Sequence, residues 1–212
     1  MFKRNQVEEA IACVLEPGSA KPGSEVRTRV KRLLETDRAL GRNKRSPDPE
    51  RANFAFSGME APGRGLENWF TGYEAFAVLT GLRLMRQDWP QGLVVAVMRR
   101  VKPDLERHHA RVLRQDRTVL FDDDRIRQQA RPGDLRVGNT DPVYLVINSK
   151  DREHYTDANP AAICRGQAEL MDLIKTWGPG QTWTVMELGT SIHALSWALA
   201  KTEPRKRGRG SQ

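Results

Sequence analysis

The chain has 212 residues, with 35 Lys and Arg against 27 Asp and Glu, a formal net charge of +8 and a pI near 9.9. That length suffices for one or two domains with a hydrophobic core of their own, and five Trp and six Phe among regularly spaced apolar residues exclude wholesale disorder. Cys13 and Cys164 lie too far apart for a disulfide framework or a cysteine zinc site, and the nearly uncharged run 92–98 is far shorter than the roughly 20 residues of a membrane span. The start, MFKRNQVEEA, lacks the apolar stretch of a signal peptide, so the expectation is a basic, soluble protein of a reducing cytoplasm.

The charge is segregated. Residues 1–120 carry 22 positive and 15 negative side chains, residues 121–200 carry 8 and 11, and residues 201–212 carry 5 and 1. A cationic face of this kind favours contact with a polyanion, because clustered Lys and Arg neutralising phosphates supply most non-specific nucleic-acid affinity.

In chain order, Val7, Ala10, Ile11, Val14 and Leu15 mark one face of an amphipathic helix over 5–15, which Glu16-Pro17-Gly18 ends. Ser24 is the expected N-cap of a second helix to about Leu40, with Gly41 past its end. Val26, Val30, Leu33, Leu34 and Leu40 form its apolar stripe, and Arg27, Arg29, Lys31, Arg32 and Arg38 occupy the remaining surface. Arg42, Lys44 and Arg45 extend the basic character into a loop. The aromatic alternation of 53–57 predicts a strand, paired across a long turn with 66–70, and Arg64 near the tip of that hairpin. Thr71-Gly72-Tyr73-Glu74 reads as a capping box opening a helix to about Arg86. Asp88 is the expected N-cap of the next helix, which Pro103 should kink or restart before Leu105, His109, Val112 and Leu113 resume the stripe.

Past Asp122–Asp124 and the Pro132-Gly133 turn, residues 143–147 are the clearest strand, followed by a strand at 161–164 and a helix to Trp177. Thr184-Val185-Met186-Glu187 resembles a third capping box, so a helix is expected from there to about Lys201. Its residues Val185, Leu188, Ile192, Leu195 and Leu199 alternate in steps of three and four, which predicts a helix–helix contact within the chain or between two copies. Leu188-Gly189-Thr190-Ser191 leaves open a second helix-turn-helix, since Gly189 weakens a continuous helix by about 1 kcal/mol. Arg205, Lys206, Arg207 and Arg209 form a basic tail expected to be disordered.

The order helix, helix, aromatic hairpin, helix, helix over residues 3–101 resembles the winged helix-turn-helix head of MerR-like regulators. Phe54-Ala55-Phe56 stands where the wing strand would lie, Phe70-Thr71-Gly72-Tyr73-Glu74 opens the post-wing helix, and Leu82 through Pro90 resembles the leucine-rich helix and turn that follow. The resemblance implies a second helix in the major groove, wing contacts to phosphate or the minor groove and a homodimer on a palindromic site. The chain departs from that family in its long loop between the first two helices, its long second helix and the Pro103 that stands where a dimerising coiled coil would continue.

The resulting expectation is an α+β, mostly helical protein. A winged-helix-like domain spans 1–120, a linker 121–140, a small α+β domain 141–201 and a basic tail 202–212. Its function is expected to be double-stranded DNA binding in transcriptional regulation, without enzymatic activity, cofactor or metal. The DNA-contacting residues would be Arg27, Arg29, Lys31, Arg32, Arg38, Arg42, Lys44, Arg45, Arg64, Arg205, Lys206, Arg207 and Arg209. The alternatives are an adaptor that binds an acidic protein and a degenerate nuclease. Asp141 and Asn148-Ser149-Lys150 bracket a strand as nuclease ligands do, but the amide of Asn148 replaces a needed carboxylate. Asp151, His154 and Asp157 have metal-ligand spacing but sit in a polar loop, and the adjacent His108 and His109 point about 100° apart on a helix.

Overall fold

The computed structural model describes residues 1–18, 21–58, 68–132, 138–149, 161–178 and 182–204. These form nine helices and two small antiparallel sheets, an α+β architecture about 60% helical. β1 (Phe2–Lys3) leads into α1 (Arg4–Leu15), then α2 (Ser24–Ala39) and the single turn α3 (Pro49–Ala52). β2 (Trp69–Phe70) precedes α4 (Gly72–Met85) and the long α5 (Gln91–Leu113), and α6 (Arg117–Leu120) and α7 (Asp123–Gln129) follow. β3 (Val143–Ser149), β4 (Ala161–Arg165), α8 (Gly166–Trp177), β5 (Thr182–Glu187) and α9 (Gly189–Ala200) complete the order.

Periodicity explains the long helices. Val7, Ala10 and Ile11 of α1, and Val26, Val30, Leu33 and Leu34 of α2, are buried as their spacing requires. Leu40 is not part of that stripe: it lies 60% exposed beyond the helix. Ser24 is the first helical residue and Gly23 the cap, without a side-chain cap bond, while Gly41 closes the helix in the left-handed region at φ +60°. The capping box of α4 forms as read: Glu74 N donates to Thr71 Oγ1 at 3.1 Å and Thr71 N to Glu74 Oε2 at 2.7 Å. α5 starts at Gln91, past Asp88, which sits in the turn at φ +61°.

Pro103 does not restart α5; one helix runs from Gln91 to Leu113 with the proline inside it. The proline costs about 3 kcal/mol, and burial of Met98, Val101 and Leu105 around it, each contributing about 1.5–3 kcal/mol, outweighs that.

The aromatic segment departs most from expectation. Residues 53–57 form no strand, and Trp69–Phe70 pairs instead with Phe2–Lys3. The reason lies in the partners of its backbone. Ala55 N and Phe56 N each donate to the Asp37 carboxylate at 3.1 Å, and Lys102 Nζ donates to the carbonyls of Phe54 and Ser57 at 2.8 and 2.7 Å. Groups satisfied by buried side chains leave no ladder to form. Phe54, Ala55 and Phe56 are nevertheless buried, and Phe56 packs against Gly81 of α4 so closely that an added Cβ would lie 3.1 Å from its ring and 3.3 Å from Val94. Both neighbours are fully buried and cannot yield. Gly81→Ala is therefore expected to lower stability by about 1 kcal/mol despite alanine's helix preference, read as a lower urea midpoint with unchanged slope.

In the C-terminal portion the strand order is β4-β3-β5. Val143, Leu145 and Ile147 face one core with Met186, and Tyr144 and Val146 face another with Cys164 and Leu170 of α8. β5 covers Thr182–Glu187, so residues 184–187 are strand where the start of a helix was expected. Glu187 does cap a helix, but from outside it: its carboxylate accepts from Gly189 N at 2.6 Å and Thr190 N at 3.1 Å, so α9 begins at Gly189. A strand precedes that junction, which removes the second helix-turn-helix. Leu188, Ile192, Leu195 and Leu199 then join the main core, where α9 packs against α1, so the seam is intramolecular. Among the described residues no helix is long and apolar enough to cross a membrane.

Candidate nucleic-acid interface

The apolar stripe of α2 fixes which of its charges face outward. Asp37 lies on that stripe, seven residues after Val30 and four after Leu33, and it is 2% exposed. A carboxylate there requires a partner, and α5 supplies it: Arg99 Nε meets Asp37 Oδ1 at 2.7 Å with both side chains under 5% exposed. Arg99 also donates through Nη2 to the Asp37 carbonyl and through Nη1 to the Glu50 carbonyl at 3.4 Å. Arg100 binds the Glu50 carboxylate at 2.8 Å. Lys102 adds its bonds to Phe54 and Ser57, and burial lowers its pKa against the opposing pull of Glu106, Glu74 and Asp37. Asp37, Arg99 and Lys102 thus fix the segment 42–58 from beneath.

Above this buried ionic layer the basic residues fan out. Arg27, Lys31 and Arg38, at i, i+4 and i+11, share one flank of α2, and Arg32 occupies its outermost face. Arg27, Arg32, Arg38, Lys44 and Arg45 are exposed, and none of the five has an acidic partner among the described residues. Arg29 is half-buried and held by Glu25 at 2.7 Å, and Lys31 lies 3.7 Å from Glu35, so these two are partly neutralised. Arg42 lays its guanidinium over the Phe54 ring, 4.8 Å from the centroid, and reaches the Gly58 carbonyl at 3.4 Å. Arg64, Arg205, Lys206, Arg207 and Arg209 lie outside the described residues.

Between the end of α2 and α3 opens a cleft of about 570 Å³, lined by Leu40, Gly41, Arg42, Asn43, Glu50, Arg51 and Arg99. Sequence reasoning missed Arg51, Arg99 and the cleft itself. One signal was available: Asp37 at a stripe position of α2, and Arg99 and Lys102 at i+4 and i+7 from buried Val95 on α5, are charges where apolar residues belong.

The residues weighed for nuclease chemistry are arranged differently. Asp141 is bound by Arg165 through two contacts at 2.6 and 3.1 Å, by Gln115, and by Arg111 at 3.4 Å. Burial raises its pKa, but the bonds from Arg165 and Gln115 outweigh burial and leave it below the usual range. A carboxylate held by two guanidiniums has few lone pairs for a cation. Asn148 lies at the far end of β3, and Lys150, Asp151, His154 and Asp157 lie outside the described residues. His109 is enclosed by Phe76, stacked at 5.2 Å, and Tyr73, edge-on at 5.7 Å. Among the described residues no three His, Cys, Asp or Glu side chains come together as a metal site would need. No protein-family model, curated protein or solved structure matches the chain.

Proposed function

We propose that this protein binds double-stranded DNA through the outer surface of α2 and the loop that follows it, in the service of transcriptional regulation. The observation that carries the reading is the set of five exposed cations, Arg27, Arg32, Arg38, Lys44 and Arg45, within 19 residues of chain and without acidic partners among the described residues. A solvated helix usually pairs its charges at i, i+4, as Arg29 and Lys31 do; unpaired guanidiniums on one element are suited to phosphates. The buried layer beneath them holds the segment in place before any ligand arrives, which reduces the ordering cost of binding. The winged-helix reading keeps only the order of the helices α1, α2, α4 and α5, since the Phe54–Phe56 segment forms no wing strand and Trp69–Phe70 pairs with Phe2–Lys3.

Five phosphate contacts predict that affinity for a short duplex falls about 10²–10³-fold between 50 and 200 mM salt. Fluorescence anisotropy on the full chain measures this directly. Failure to retain duplex at about 50 mM salt, where phosphate contacts are strongest, overturns the proposal.

A further inference from the structure

We infer that the cleft between Leu40 and Arg51 seats one phosphate of the nucleic-acid backbone, held jointly by Arg42 and Arg51 and walled by the buried Arg99. This rests on the DNA-binding reading above and names a contact that the outer face of α2 does not provide. The cleft's volume, about 570 Å³, falls in the range of small-ligand sites and holds a phosphate together with the sugar that carries it.

Its charges are arranged for an anion. Arg99 is matched by Asp37, and the Glu50 carboxylate by Arg100, so the acid in the cleft and the deepest base are both neutralised within the protein. Arg42 and Arg51 remain. Arg51 is 79% exposed, and its only acidic contact among the described residues, Asp48, is 3.6 Å away. Arg42 Nε is buried without a hydrogen-bond partner, and its guanidinium carbon lies over the Phe54 ring, 4.8 Å from the centroid. The backbone ties the two segments together, since Asn43 N, next to Arg42 in the chain, donates to the Arg51 carbonyl at 2.7 Å. Two guanidiniums lining one cleft suit the capture of a single tetrahedral anion, whose oxygens they can share.

The test uses the full chain and a labelled duplex across a salt series. Arg51→Gln, on a side chain too exposed to affect folding, and Arg42→Gln are each expected to weaken binding about tenfold, the loss of one charged hydrogen bond. The double variant is expected to lower the slope of log K against log salt by about one rather than two, because both residues share one phosphate. Glu50→Gln is expected to tighten binding, an effect that a merely structural role for the cleft would not produce. Arg127→Gln, on exposed α7, serves as the unaffected control.

Duplex binding that persists with an unchanged slope in both Arg variants overturns this inference and leaves the DNA-binding reading standing. A slope reduction of about two in the double variant overturns the shared seat in favour of separate contacts. Absence of duplex binding by the unmodified chain overturns both. A calorimetric titration with inorganic phosphate separates the remaining source: saturation that depends on Arg51, with duplex affinity indifferent to Arg51→Gln, assigns the cleft to free phosphate and overturns the backbone assignment.

Discussion

Asp37→Asn is expected to destabilise the protein by about 3–5 kcal/mol, a large share of the 5–15 kcal/mol typical of a domain. Three groups depend on that carboxylate. Arg99 loses its counter-charge at a position 4% exposed, and the amides of Ala55 and Phe56 face a side chain with one acceptor in place of two. Arg99→Met is expected to cost a similar amount by stranding Asp37. The double replacement should not fully restore stability, although removing both charges of a buried pair is often neutral, because one of the Ala55 and Phe56 amides would still lack its acceptor. Lys102→Met removes only the donor to Phe54 and Ser57 and is expected to cost less, about 1–3 kcal/mol. Urea unfolding at neutral pH measures all four, and a loss below about 1 kcal/mol in Asp37→Asn would show that the layer is not the anchor of the segment.

Acid is expected to weaken the fold through His109 well before carboxylates titrate. The imidazole is 7% exposed, and burial, followed by the nearby His193, lowers its pKa from 6.5 to about 4. Above pH 6.5 it is neutral in both the folded and unfolded chain and contributes nothing to the pH dependence. As the pH falls from 6.5 towards 4 the unfolded chain takes up a proton that the folded chain refuses. Stability is therefore lost over that window, by about 3 kcal/mol near its lower end. Burial also lowers the pKa values of His108 and His193, so they act in the same direction. His109→Phe keeps a ring against Phe76 and Tyr73 and removes the titrating group. Its unfolding free energy should be flatter between pH 6.5 and 4.5 than that of the unmodified protein. Parallel profiles for the two would place the acid sensitivity elsewhere.

Most elements legible in the sequence were helices, whose backbone partners are local. α1, α2, α4 and α8 follow from apolar spacing and from Thr71 and Glu74, and β3 follows from its β-branched run. The errors share one cause, which is that groups far along the chain, side chains in one case and a strand or a packed core in the others, decide what the backbone does. Residues 53–57 have the composition of a strand, but Asp37 and Lys102, 18 and 45 or more residues away, take their amides and carbonyls. Residues 184–187 fit a helix start, but their alternation matches β3, and Glu187 serves α9 from the strand side. Pro103 argued for a break that tertiary burial overrides.

The candidate interface shows the same division. Arg27, Arg32, Arg38, Lys44 and Arg45 could be named from helix periodicity and loop composition, because exposure follows from the stripe they avoid. Arg42 was named, but its stacking on Phe54 was not foreseeable. Arg51 and Arg99 enter the site only because α3 and α5 pack together, a contact between segments some 50 residues apart. Charges at core-facing positions of two helices were the available clue.

The most direct test of the account compares the salt dependence of duplex binding by the unmodified chain with that of a variant in which Arg27, Arg32, Arg38, Lys44 and Arg45 are all Gln. Removing five phosphate contacts is expected to reduce the slope of log K against log salt by about 4.5, since each contact contributes about 0.9. The substitutions lie on exposed side chains, so the thermal midpoint should hardly change. A variant that keeps both the affinity and the slope of the unmodified chain would contradict the assignment of this face to nucleic acid.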